Sequence, residues 1–454
     1  MKPTRHNVND LYARAYGHHA KGDFGLAMKK YQEILSVFPD HKACLHNVLR
    51  LHMAVNNLSE ALDYSNRLVR LDSNDWEALL YRADVYRLQH KTELALEDAH
   101  TSISIKESAL AHNTLALVYR DLEQWDLANS AWQRCVEIDP EGKARWAFNL
   151  AQSQLLQRDY ATGFRLYEGR RQAGVGQQRP QANNKPAWTG LTKCEGKRMV
   201  LHWEQGIGDT IQMLRYAHVF KQMGAEHITV VVQDELFTLA QGIPGVDLVL
   251  TDKEPWPLWD LHVSLMSCPR AAGTLFQTIP WTGTYIRHKD EPIKPLEGTP
   301  KSIGFVWSGS VKLFAEEMWM RPPKSRDVPQ EEFLAWTERV REALPSARLV
   351  SLQVGRPVKD TVLELPELTS WDVTASLIEE LDLVITVDTA VAHLAGTMGK
   401  PVWLLNRKAP DWRWHLDMNT SPWYPSVRIY RQTEFNVWAD VLDHVLKDLV
   451  DGKA

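Results

Sequence analysis

"KTELALEDAHTSISIKES", residues 91 to 108, decides how the first third of the chain folds, because the same pattern recurs at a fixed distance on either side. Upstream stand "NLSEALDYSNRLVRLDSND" (57–75) and "GDFGLAMKKY" (22–31, with "VFPD" at 37–40), and downstream stands "QWDLANSAWQRCVEIDP" (124–140). A small residue falls at Ala27, Ala61, Ala95 and Ala128, so the intervals are 34, 34 and 33 residues, and a weaker fifth copy puts Gly163 at the same place. Self-similarity at such a period means stacked supersecondary units. Each unit is a helix pair that buries one face alone, and the small residue lets its two helices approach closely.

These residues resemble the tetratricopeptide repeat. Tyr31 and Trp132 supply an aromatic four residues after the small position, Pro39 and Pro140 close units, and Ala83, Ala116, Tyr86 and Tyr119 match the first helix. Ser73 and Glu107 stand where the family has its terminal proline, and the second copy lacks the aromatic. The expected product is an α-solenoid over 1–171 whose concave groove holds a protein, with self-association through the repeats as the blander use.

Residues 172–195 lose the helical period and are rich in Gly, Pro, Gln and Asn, as a linker is. Beyond them apolar strands alternate with helices, which implies parallel sheets. One unit spans 196–290, from "RMVLHW" to "TYIR". After the proline-rich "HKDEPIKPLEGTP" a second spans 300–435, with strands "SIGFVW", "RLVSLQ", "DLVITVD" and "PVWLL", and a C-terminal helix fills 436–454. Ligands of such sheets bind beyond the carboxyl ends of the strands.

Composition narrows the function. Apolar residues make up 44% and charged residues 24%, and the net charge of −5 gives no global attraction to nucleic acid. No apolar run suits a membrane span. The N-terminus lacks the apolar core of an export signal. Cys44, Cys135, Cys194 and Cys268 show neither zinc nor disulfide spacing, so a cytoplasmic protein is expected. Walker, dinucleotide and His-Glu-x-x-His motifs are absent, as is an Asp-x-Asp pair in the second α/β unit.

"EQGIGDTIQMLRY" (204–216), "LDLVITVDTAVAHLAGTMGKPVWLL" (381–405), "PDWRWH" (410–415) and "SPWYPSVRIYRQ" (421–432) resemble the family-nine, heptosyltransferase-like glycosyltransferases, in the subgroup with N-terminal tetratricopeptide repeats. The resemblance implies a type B glycosyltransferase fold with two Rossmann-like domains, acceptor side first. It also implies a nucleotide-sugar donor and an inverting transfer without metal or other cofactor. The acceptor it suggests is a protein hydroxyl, flagellin or another surface protein, brought by the repeats. A lipopolysaccharide or other glycan acceptor is the alternative, and a non-catalytic repeat adaptor is a third reading.

Inversion in one displacement needs a base for the acceptor hydroxyl and donors for the departing diphosphate. Asp209 matches the family's catalytic base; an N-cap at the start of a helix beginning "DTIQ" is the structural alternative. Gly206 and Gly208 admit a tight turn and a close substrate. For the donor, Asp388 ends a strand, Thr389 opens a helix whose free amides suit phosphate, and His393 shares its face and donates a hydrogen bond, more strongly if charged. Asp388 is expected to order the turn through backbone amides or to meet the sugar; a capping aspartate and a core histidine are the bland readings. Ser308, Gly309 and Ser310 open onto the same edge. Arg326 in "SRDVP" stands where the subgroup has an Arg-Ser pair, with Asp327 replacing Ser, and competes with Lys312, Arg321 and Lys324 for the pyrophosphate. Gln353 ends another strand, where it meets base or ribose or merely forms a turn. Trp412, Trp414, Trp423 and Tyr424 are expected mainly as packed rings, with stacking on a base or sugar as the alternative.

Overall fold

A computed structural model describes residues 7–176, 181–182, 185–280, 283–286, 296, 298–309 and 326–452. Among these the contacts fall into two compact units, one up to Leu150 and one from Ala151 onward.

The first unit is a tetratricopeptide-like helical solenoid. Its hairpins are α1 (Val8–Ala20) with α2 (Phe24–Leu35), α3 (Lys42–Ala54) with α4 (Leu58–Leu71), α5 (Trp76–Leu88) with α6 (Thr92–Ile105), and α7 (Ala109–Asp121) with α8 (Trp125–Ile138). A fifth pair, α9 (Lys143–Leu156) and α10 (Tyr160–Tyr167), follows; the boundary between the units falls inside α9, and α10 belongs by its contacts to the second. Ala27, Ala61, Ala95 and Ala128 are fully buried on α2, α4, α6 and α8, as the crossing argument requires. At the fifth copy a Cβ on Gly163 would lie 2.6 Å from the Leu155 side chain, so only glycine fits there. Asn57, Asp75, Ser108 and Asp159 cap their helices by accepting the third amide of the following turn.

The turn inside every hairpin repeats as faithfully as the alanines. Gly22, Asn56, His90, Glu123 and Arg158 all have positive φ, between 58° and 81°. Only glycine and asparagine take this conformation readily, so three of the five turns are held by packing against their own preference.

The second unit contains two parallel sheets. The first is built from β1 (Arg198–His202), β2 (His227–Val231), β3 (Leu248–Leu250) and β4 (Leu261–Ser264), in the order β3-β2-β1-β4. Between these strands lie α11 (Ile207–Met213), α12 (Tyr216–Gln222) and α13 (Phe237–Ala240), and α14 (Cys268–Ala271) follows β4. The second contains β5 (Ser302–Val306), β6 (Arg348–Ser351), β7 (Leu383–Val387), β8 (Val402–Asn406) and β9 (Val427–Arg431), in the order β6-β5-β7-β8-β9. Its helices are α15 (Gln330–Ala343), α16 (Trp371–Glu380), α17 (Ala390–Thr397) and α18 (Ala439–Val450). Phe305, Trp307, Phe333, Trp336 and Trp403 fill its core.

Two elements differ from the sequence reading. The helix after β1 starts at Ile207 rather than Asp209 and breaks into two around Leu214 and Arg215. Val427–Arg431 is a parallel edge strand paired with β8, a strand absent from the four read for this unit.

Strand order locates the ligand edge. In each sheet the first strand lies between its successor and a later strand, which makes β1/β4 and β5/β7 the points where the chain reverses direction across the sheet. Crevices open there, past the carboxyl ends.

Candidate functional site

At the β5/β7 crevice the loop after β5 carries Ser308 and Gly309, and the turn after β7 carries Asp388 and Thr389. The loop is held in a fixed shape from two sides. The Gln353 side-chain oxygen accepts the amides of Trp307 and Ser308 at 3.1 and 2.9 Å, and its Nε2 donates to the Ser308 carbonyl at 3.1 Å. Asp327 accepts the Ser308 hydroxyl at 2.7 Å and the Gly309 amide at 2.9 Å. Gln353 is therefore a brace for the loop, in line with the turn-forming alternative, and its side chain also lines the neighbouring cavity. Asp327, the departure from the subgroup's pattern, does the same work. Beside Gln353 a cavity of about 430 Å³ opens, lined by Ser351, Arg356, Val358 and Leu365 among others.

Arg326 lies flat against the loop. A Cβ on Gly309 would meet its Nη2 at 2.4 Å and its Nε at 2.6 Å, so glycine is what admits the guanidinium. Its Nε is buried and has no hydrogen-bond partner among the described residues. Ser310, Lys312, Arg321 and Lys324 lie outside the described residues.

Thr389 is the N-cap of α17 by backbone, but its hydroxyl meets Thr386 Oγ1 at 3.1 Å and makes no cap bond. The Asp388 side chain makes no hydrogen bond among the described residues, so it does not order the turn through amides as expected. His393 is buried, its Nδ1 is 2.8 Å from the Tyr424 hydroxyl, and its ring stacks on Trp414 at 5.5 Å. Burial, with Arg413 adding repulsion, lowers its pKa to about 3. Burial thus favours the neutral imidazole, so His393 gains no charge here to strengthen the hydrogen-bond donation expected of it.

Asp209 is not an N-cap. Gly206 is, and Asp209 sits three residues on, with Oδ2 accepting the Gly206 amide at 2.9 Å. Its Oδ1 accepts from Arg413 Nη2 at 2.5 Å. Burial pushes the Asp209 pKa up, Arg413 pulls it down, and Asp411 and Asp388 push it up again, for a net rise, although 24% of the side chain is exposed. Gly208 matters for contact rather than turning. A Cβ there would stand 2.7 Å from His393 Cδ2 and 3.3 Å from Ala390 Cα, so α11 and the start of α17 touch through it.

Arg413 went unmarked in the sequence reading, which saw only rings in "APDWRWH". Its guanidinium also donates to Gln212 Oε1 at 2.6 Å and Asp411 at 2.8 Å and lies 4.3 Å over Trp412. Burial opposes the charge, but Asp411 and Asp209 outweigh it, so the group is held charged. Arg413 in turn keeps Asp411 below the usual carboxylate range against its burial. Trp412, Trp414, Trp423 and Tyr424 are all buried, which gives them the packed role expected for most of them. Among the described residues no group of three or more His, Cys, Asp or Glu is arranged to hold a metal, and no helix is long and apolar enough to cross a membrane.

At the β1/β4 crevice the chain supplies its own occupant. Arg170 is fully buried and donates to Glu204 at 2.5 Å, Ser264 at 3.0 Å, Ser267 at 2.7 Å and Glu168 at 3.0 Å.

No protein-family model matches the chain. Protein FlbA of Caulobacter vibrioides is 23% identical over 509 residues, covering 95% of this chain and 82% of its own length. Sperm-associated antigen 1 of Mus musculus is 31% identical over 103 residues, 22% of this chain; the chain spans only 11% of that protein. Among solved structures, a thermophilic TPR protein of Thermus thermophilus is 17% identical, with a TM-score of 0.34, over 37% of this chain and 92% of its own. By its own fold the chain has a TPR-like helical solenoid and a parallel-sheet α/β region, and such repeats present surfaces suited to protein partners.

Proposed function

We propose that the α/β unit is a type B glycosyltransferase built on two Rossmann-like halves, and that it moves a sugar from a nucleotide-sugar to a hydroxyl of a protein recruited by the repeats. The observation that carries this reading is the apposition of two switch-point elements. Asp209 on α11 lies where α11 meets the first turn of α17, and Arg326 with an unmet donor lies on the glycine of the adjoining loop.

Each part then has a task. The acceptor hydroxyl gives its proton to the Asp209 carboxylate while its oxygen bonds to the anomeric carbon. The bond from that carbon to the diphosphate oxygen breaks on the opposite face, which inverts the centre. The negative charge leaves on the diphosphate, where the Arg326 guanidinium and the free amides at the start of α17 receive it. These cations and amides serve in place of a metal. The cavity of about 430 Å³ on the same edge is of nucleoside size.

One observation favours the adaptor reading: both Asp209 oxygens already accept hydrogen bonds. The two readings separate on intact mass. A candidate acceptor coexpressed with the wild-type chain should gain the mass of a sugar and should gain none with Asp209→Asn. A gain that persists with Asp209→Asn removes the base role, and no gain with either, together with no thermal stabilisation by any nucleoside diphosphate, leaves the adaptor.

A further inference from the structure

We propose that Arg413 is a positioning residue for Asp209, holding one carboxylate oxygen in a fixed direction against an opposite charge, and that Tyr160 of α10 secures the loop that carries it. The inference rests on the reading of Asp209 as the base.

The geometry leaves Arg413 no freedom. Three acceptors on two segments, Asp209 and Gln212 of α11 and Asp411 of its own loop, take its nitrogens while Trp412 covers one face, and only 7% of its side chain is exposed. Asp209 keeps about a quarter of its side chain exposed while Gly206 and Arg413 each hold one of its oxygens. A carboxylate held at both oxygens and still partly exposed is fixed in direction, and each oxygen keeps a second lone pair for a proton. Besides Arg413, the groups facing it are Asp411, Asp388 from the end of β7 and Tyr167 from α10. Two of these carry negative charge, and Arg413 is the cation that offsets them.

The loop holding Arg413 would not keep this shape alone. It ends at His415, whose φ of 47° is unfavourable for a histidine. His415 is clamped by its ring: Nδ1 is 3.1 Å from the Leu156 carbonyl and Nε2 is 3.1 Å from the Tyr160 hydroxyl. That hydroxyl also accepts from Trp423 Nε1 at 3.1 Å, and the Tyr160 ring stacks on both His415 and Trp423. Phe164, one turn further along α10, meets Trp412 edge to face at 5.6 Å. The last repeat helix is therefore the wall on which the Arg413 loop is mounted.

The test follows the Asp209 carboxyl by carbon-13 NMR in the full chain, with its signal identified by loss in Asp209→Asn. In Arg413→Gln the carboxyl should titrate at higher pH than in the wild type, since burial, Asp411 and Asp388 are left unopposed. In Tyr160→Phe, which keeps every charge and removes only a hydroxyl, it should move the same way by less. An unmoved titration in both overturns the proposal, and if Arg413→Gln does not fold, an unmoved titration in Tyr160→Phe alone does so. The readout needs no sugar transfer. A shifted titration in a chain that modifies no acceptor would fail the transferase reading and leave this one standing.

Discussion

Replacing Gly208 by alanine tests whether α11 and α17 meet as closely as the ligand edge requires. The new methyl would stand 2.7 Å from His393 Cδ2 and 3.3 Å from Ala390 Cα. Carbon atoms rest at about 3.5–4.0 Å, so the first contact is short by roughly 1 Å. The His393 ring cannot swing aside without breaking its bond to Tyr424 and leaving Trp414. Overpacking of this kind costs about 1–3 kcal/mol, and alanine returns up to about 1 kcal/mol of helix propensity. The net loss is about 1–2 kcal/mol, a fall of roughly 3–6 °C in the unfolding midpoint of the α/β unit. Gly206→Ala is the control, because its methyl meets only Asp209 Oδ2, at 3.2 Å, which needs to give by a few tenths of an ångström, and should cost about 0.5 kcal/mol. Calorimetry of Gly208→Ala in wild-type and His393→Ala backgrounds completes a cycle. With the ring gone, the Gly208→Ala cost should drop below about 0.5 kcal/mol, a coupling of about 1 kcal/mol. Strict additivity would show that the helices do not touch through Gly208, and the apposition that carries the functional reading would fall with it.

Three further outcomes are expected. Arg326→Met should weaken nucleoside diphosphate binding roughly 10–100-fold, the worth of a charge-assisted hydrogen bond, and isothermal titration that finds equal affinity would remove Arg326 from the donor site. Glu123→Gly should stabilise the repeat array by about 0.5–1 kcal/mol by relieving a left-handed turn residue, visible as a higher denaturant midpoint and contradicted by a lower one. His393 and His415 are held neutral by burial, with pKa values lowered to about 3 and about 4. Their folded pKa values lie below the unfolded value, so the stability they contribute is full above about pH 6.5. It declines as pH falls, because the unfolded chain takes up protons the folded one refuses. His415→Asn, which suits the left-handed backbone, should flatten the decline in midpoint between pH 6.5 and 4, and an unchanged slope would count against the assignment.

How much of this was legible in the sequence depends on whether a signal is local. The alanine ladder is local: one small residue per hairpin at a constant interval suffices to place ten helices. The turn conformations repeat just as regularly, but only Gly22 and Asn56 advertise them, because His90, Glu123 and Arg158 are forced there by the packing on either side. Val427–Arg431 alternates as a strand should, yet the prolines and tryptophan just before it read as loop. The start of α11 was placed two residues late because its cap is a glycine, which contributes no side chain to the cap, while Asp209, the residue that resembles a cap, bonds backward from the third position. Arg413 was invisible for a different reason. Its partners Asp209 and Gln212 lie some two hundred residues earlier, and a lone arginine between tryptophans carries no spacing that would predict them.

The hydrogen bonds along the second sheet's edge separate framework from candidate ligand groups more sharply than residue type does. Ser308, Gln353 and Asp327 are all plausible phosphate or ribose contacts by chemistry, but their groups are largely spent on one another. A ligand that used them would first have to break bonds already made, at a cost close to what it gained. Arg326 stands in the opposite position, since its Nε is buried with no acceptor among the described residues, and an unmet buried donor on a charged group costs stability until something arrives. At the start of α17 the Thr389 hydroxyl turns to Thr386 instead of capping the helix, so its first turn lacks a side-chain cap. An anion entering this edge would therefore be drawn to Arg326 and the α17 turn and would find the braced loop already shaped. Arg326→Met should for that reason cost more affinity than Gln353→Leu costs directly. The Gln353 variant should act through loosening of the 307–309 loop, raising its amide hydrogen exchange with or without nucleotide. If Gln353→Leu abolished binding while those amides stayed protected, the division between brace and contact would be wrong.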